Sequence, residues 1–98
     1  MIWRTTIMSS KANPISHDKN GRKVFADSIV LDKTATEIYI PVKCGGLWGD
    51  EFMSDFYPLD PASIEVIKPH ATMKDLQKLM RSDKYSGYIF NTSGDSLG

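Results

Sequence analysis

Residues 36–43 alternate in character, with Ile38, Ile40 and Val42 on one side of an extended chain and Glu37, Tyr39 and Lys43 on the other. A two-residue period rich in β-branched side chains can bury one face only as a strand, so this window commits the chain to a sheet with a hydrophobic side. Pro41 has no amide hydrogen to give to a ladder, which places it at a strand end or on a sheet edge.

Further windows supply partners for that strand. Residues 24–31 read as a strand joined to it through Asp32-Lys33-Thr34-Ala35, a connection short enough for an antiparallel hairpin. Trp3, Thr5 and Ile7 alternate in a first strand, and the turn Asp18-Lys19-Asn20-Gly21 precedes residue 24. Residues 63–67 set Ile64 and Val66 opposite Glu65 and Ile67, and residues 88–91 form a closing strand after Ser86-Gly87. One segment is helical instead. Met73, Leu76, Leu79 and Met80 recur at three-and-four spacing behind an N-cap at Thr72, Asp75 complements the helix start, and Lys78, Arg81 and Lys84 suit its end, predicting a helix over residues 73–83.

The expected fold is therefore a single α+β domain spanning residues 1–98, with a mostly antiparallel sheet of about five strands, one main helix and a flexible tail at 92–98. Two domains would leave each half too small to hold a core without disulfides or metal. An apolar fraction of 41% is too high for a disordered chain. Twelve basic residues balance twelve acidic ones, which excludes the large basic face of a dedicated DNA binder and the acid excess of a DNA mimic. Nucleic acid and membrane are not expected partners: the longest apolar run, residues 38–42, falls far short of the ~20 residues that span a bilayer. Met1, Ile2 and Trp3 lead straight into Arg4 rather than into an export signal, so a cytoplasmic location is expected, with which the single Cys44 agrees.

The neutral total hides a local asymmetry. Residues 44–61 read CGGLWGDEFMSDFYPLDP and hold four of the ten aromatic residues and four of the twelve acids, with no lysine or arginine. Spacing of four between Phe52 and Phe56, and between Met53 and Tyr57, fits a short helix near residues 50–57 capped by Asp50; the alternative is an irregular loop carrying Trp48 on its surface, and a mixture of the two is expected. In that reading Phe52 and Phe56 turn inward, while Trp48, Asp50, Glu51, Asp55 and Tyr57 form the surface that binds a partner. Acids beside exposed rings fit a hot spot for a protein with a basic surface.

The C-terminal part also carries a resemblance. Tyr39-Ile40-Pro41-Val42, an irregular insert, the strand Ile64-Glu65-Val66-Ile67, the capped helix, and Ser86-Gly87-Tyr88-Ile89-Phe90-Asn91 followed by Gly94-Asp95-Ser96-Leu97 occur in the order seen in the enhanced-serine-sensitivity (SseB-like) family. The stretch resembles that family's N-terminal domain over about residues 36–98. Thr92 stands where the family usually has proline, and residues 1–31 lack the helix that the family places first. The resemblance implies an α+β domain with a non-enzymatic role, and no catalytic residues come with it.

His17, His70 and Cys44 are the only imidazole and thiol groups and show no metal-ligand spacing, so no metal and no cofactor are expected. Gly45-Gly46-Leu47-Trp48-Gly49 lacks the Gly-Lys-Ser/Thr ending of a phosphate loop and runs into two acids. Lys11, Lys19, Arg22 and Lys23 have no interleaved aromatics and read as a solvated loop. The expectation is a non-catalytic protein-binding module, of a kind that a phage or mobile element uses to inhibit a host enzyme or defence factor. Two alternatives stay open: a small hydrolase or transferase using Cys44 and His70, and a homodimer seeded by Tyr39 on an outer sheet face.

Overall fold

Ile29–Asp32 (β3) and Glu37–Tyr39 (β4) form the antiparallel hairpin at the centre of the structure, with Val30 opposite Tyr39 and Asp32 opposite Glu37. The turn between them closes because Asp32 Oδ1 accepts the amide hydrogens of Thr34 and Ala35, at 2.9 and 3.2 Å, the local bonding for which aspartate is favoured in turns. The protein is described here from a computed structural model, which describes residues 13–91. The strand expected near residue 3 and the tail at 92–98 lie outside the described residues.

Two further strands complete this sheet. Ile64–Lys68 (β8) pairs antiparallel with β3, and Ile89–Asn91 (β9) pairs parallel with β4, giving the order β8-β3-β4-β9. One face carries Ile29, Leu31, Ile38 and Ile40 and is covered by the helix Met73–Met80 (α1), which contributes Leu76 and Leu79. The capping box predicted at Thr72 is present: its hydroxyl accepts the Asp75 amide hydrogen, and the Asp75 carboxylate accepts the Thr72 amide hydrogen at 2.8 Å. The helix ends three residues earlier than expected, and a short 3-10 turn at Asp83–Tyr85 follows. Met73 and Met80, predicted on its buried face, are exposed, because only the narrower Leu76 and Leu79 stripe meets the sheet.

The opposite face buries Val30, Tyr39, Ile64 and Val66 against Val24, Ile15 and Leu59. Val24 belongs to Lys23–Val24 (β2), which pairs with Ser16–His17 (β1) across the turn predicted at Asp18 to Gly21. The strand expected over residues 24–31 is therefore two pieces. Phe25 and Ser28 bracket a tight turn in which the Ser28 hydroxyl accepts the Phe25 amide hydrogen and donates to the Pro69 carbonyl, at 2.8 and 2.6 Å.

The window 36–43 divides as well. After β4 the chain turns at Ile40 and Pro41, both buried, and continues as Val42–Cys44 (β5) in a separate sheet with Leu47–Phe52 (β6) and Asp55–Pro58 (β7). These three strands form an antiparallel meander in the order β5-β6-β7. The described residues thus hold nine strands in three sheets, against the five expected; the class, α+β and mostly antiparallel with one α-helix, is as predicted.

Candidate functional site: a carboxylate pocket under the meander

No helix forms near residues 50–57. Two consecutive two-residue turns fold this stretch into strands instead. Gly45 and Gly46 both have positive φ, as do Met53 and Ser54, so Cys44 pairs with Leu47 and Phe52 with Asp55. Positive φ at both central positions is the tight hairpin turn whose twist matches that of the strands. Glycine takes it without strain, whereas Met53 and Ser54 are held in the left-handed region at a cost of about 1 kcal/mol or more each.

The register then decides which side chains share a face. Residues opposite each other in an antiparallel pair point the same way, and Asp50 lies opposite Tyr57 and Phe52 opposite Asp55. Trp48, Asp50, Phe52, Asp55 and Tyr57 therefore share one side of the meander, with Glu51 and Phe56 on the other. Of the five residues predicted as the binding surface, Trp48 is half-buried, Glu51, Asp55 and Tyr57 are exposed, and Asp50 is buried. Phe52 and Phe56, expected inward, are both half-buried.

Asp50 is buried because the meander folds over one end of the four-stranded sheet. There the same alternation that places Val30 and Tyr39 in the core brings Asp32, Glu37 and Asn91 to that face. Glu37 and Tyr39, expected on an outer face, are only 5% and 3% exposed. The proposed dimer contact through Tyr39 loses its basis, since that ring lies inside the protein. Between sheet and meander is a pocket of about 310 Å³. The sheet contributes Asp32, Glu37, Tyr39 and Ile89; the meander contributes Asp50, Phe52 and Tyr57, with Asp60 just beyond it.

Four carboxyl groups thus surround one cavity whose lining contains no lysine or arginine among the described residues. Burial, and next the hydrogen bond and charge of Asp50, push the Glu37 carboxyl up to about 8, so it holds its proton at neutral pH. Burial, followed by the charge of Asp50, also pushes the Tyr39 phenol up. Asn91 serves the pair from β9: its Nδ2 donates to Asp50 Oδ1 at 2.8 Å and to the Glu51 carbonyl, and its side chain bonds to Glu37. Glu37 Oε2 is buried and has no hydrogen-bond partner among the described residues.

Sequence reasoning found Asp50 and Tyr57 but missed Glu37, Asp32, Asp60 and Asn91. No local signal marks them, because they converge only through strand pairing. The other chemically notable groups lie elsewhere. Cys44 is exposed at the β5–β6 turn. His70 Nδ1 is 2.9 Å from Asp27 Oδ1, and its ring packs on Phe25 at 4.3 Å between centroids. Neither Cys44 nor His70 lines the pocket.

No helix among the described residues is long and apolar enough to cross a membrane. No protein-family model, curated protein or solved structure matches the chain.

Proposed function

We propose that this chain is a non-catalytic protein-binding module whose meander face receives a partner with a basic surface. The observation that carries this reading is the convergence of Asp32, Glu37, Asp50 and Asp60 on one aromatic-walled pocket beside the exposed Tyr57. Rings that exclude water around acidic groups make the few strong contacts on which protein interfaces depend. Asp55, exposed on the same side of the meander as Asp50 and Tyr57, extends the acidic field beyond the pocket, and the exposed Glu51 on the other side adds to the charge of the segment, which speeds encounter with a basic partner. Such a module acts by occupying its partner's surface, as an inhibitor does. The resemblance to the enhanced-serine-sensitivity family, which brings no catalytic residues, is compatible with this role.

A second reading draws on one feature, the hydrogen-bonded Glu37 and Asp50 pair with one member holding its proton, an arrangement that also serves acid-base catalysis. Both carboxyls are more than nine-tenths buried, which favours a group inserted from a partner over a substrate that must turn over.

Titration of isotope-labelled protein with short basic peptides and their acidic counterparts tests the binding reading. Basic peptides are expected to shift the amide signals of β6, β7 and β9, and the surface variant Glu51→Lys/Asp55→Lys/Tyr57→Ala is expected to weaken them roughly tenfold or more. Equal binding of acidic peptides, or shifts confined to other elements, would overturn it.

A further inference from the structure

Resting on that reading, we infer that the pocket takes an arginine side chain of the partner, its guanidinium meeting Glu37 and Asp50 while its stem passes the rings of Phe52 and Tyr57. Glu37 is 95% buried and lines the pocket; its carboxyl bonds to Asp50 and Asn91, and its buried Oε2 has no hydrogen-bond partner among the described residues. Asp50, also buried, has one oxygen engaged by Asn91 and retains acceptor capacity. Asp32 at the end of β3 and Asp60 beyond β7 add negative charge at the pocket wall while their carboxylates accept hydrogen bonds within their own turns.

A dispersed set of acceptors selects for a dispersed set of donors. A guanidinium presents five N–H groups in a rigid plane, whereas an ammonium is a compact, strongly hydrated charge that costs more to bring into a closed site. The flat faces of Phe52 and Tyr57 suit guanidinium stacking, and the cavity of about 310 Å³ has room for that side chain.

Binding is coupled to a proton. In the free protein Glu37 keeps its hydrogen at neutral pH, held there by burial and by Asp50 and Asp32. Among the described residues, the remaining titratable groups facing it are Tyr39 from its own strand, Tyr57 from β7 and Asp60; β9 contributes the neutral Ile89 and Asn91. A cation beside Glu37 favours its ionised form, so the proton leaves as arginine enters. Affinity then rises with pH until about 8 and flattens above it.

Calorimetric titration with N-acetyl-arginine amide and N-acetyl-lysine amide, at several pH values and in buffers of different ionisation enthalpy, tests this. Arginine is expected to bind more tightly than lysine and to release close to one proton per site near neutral pH. In Glu37→Gln the release should vanish and the affinity at alkaline pH should fall roughly tenfold. Carbon NMR of the Glu37 carboxyl in the wild-type protein gives a readout that needs no variant, since arginine should shift its titration toward acid. An unshifted Glu37 titration, binding without proton release, or a preference for lysine would each overturn the inference. If lysine-only peptides bind the meander and leave Glu37 unchanged, the binding module stands and the arginine assignment falls. If no basic peptide binds the meander, both fall.

Discussion

The side-chain amide of Asn91 donates to the Asp50 carboxylate at 2.8 Å, tying the last strand of the main sheet to the middle of the meander. The bond links residues 41 apart in the chain and holds one carboxyl of the pair in place. Replacing Asn91 by leucine leaves Asp50 buried without that donor. A loss of about 1–3 kcal/mol is expected in urea denaturation at neutral pH, the cost of an unsatisfied buried acceptor. Asn91→Asp should be worse, since it adds a third carboxylate beside the pair.

Glu37 gives the protein an unusual response to base. A carboxyl raised from its ordinary 4.5 to about 8 binds its proton more tightly in the folded chain than in the unfolded one. Its contribution is complete below the unfolded value and is lost as pH rises through about 8. Glu37→Gln, which cannot ionise, should match wild type near pH 5 and exceed it near pH 9, by on the order of 2 kcal/mol or roughly 10 °C in melting temperature. Parallel melting curves across that range check it; indistinguishable pH profiles would contradict the assignment.

Asp18 acts in the opposite direction. Burial works against its charge, but amide hydrogens from Val66, Arg22 and Asn20 outweigh that and hold its carboxyl below 3.8. Its stabilisation is therefore present above the unfolded value and lost as pH falls through the lower folded one. The bond to Val66, at 2.9 Å, also caps the open edge of β8, where Arg22 Nη1 donates to the Val66 carbonyl at 3.0 Å. Asp18→Asn should cost about 2 kcal/mol at neutral pH, with the gap closing in strong acid. Light scattering should show faster aggregation of this variant, because an uncapped strand edge invites pairing between molecules.

Gly49 is the tightest point of the meander. A Cβ there would strike the Tyr57 carbonyl oxygen and stand 2.9 Å from both Phe56 Cζ and Pro58 Cα. Gly49→Ala should displace β7 and cost about 2 kcal/mol or more, with loss of peptide binding at the pocket. At the far turn the opposite change is available. Met53→Asn/Ser54→Gly places residues that accept positive φ where the chain already has it, and should add about 1 kcal/mol of stability by chemical denaturation.

Local signals sufficed for the helix cap and for the central turn, where one short stretch contains the whole cause. The capping box of Thr72 and Asp75 joins residues three apart, and the Asp32 turn is closed by its own neighbours. Gly45-Gly46 carries a hairpin signal as well, which the segment's likeness to a glycine-rich phosphate loop masks. Met53-Ser54 carried none: neither residue favours positive φ, and Phe52 with Phe56 mimicked a helical period. Hairpin pairing of β6 with β7 overrode that helical period.

By itself the sequence determined the α+β class, the helix start, the β3–β4 hairpin and the concentration of acids and rings after Cys44, because each depends on neighbours in the chain. Only the tertiary structure decided that Glu37 and Tyr39 face inward. Alternation assigns two sides to a strand but cannot say what covers each, and here α1 covers one side while β2 and the meander share the other. That second cover brings Asp32, Glu37, Asp50, Asp60 and Asn91 together from five separate stretches, and the resulting loss of solvent gives Glu37 its proton and the pocket its character.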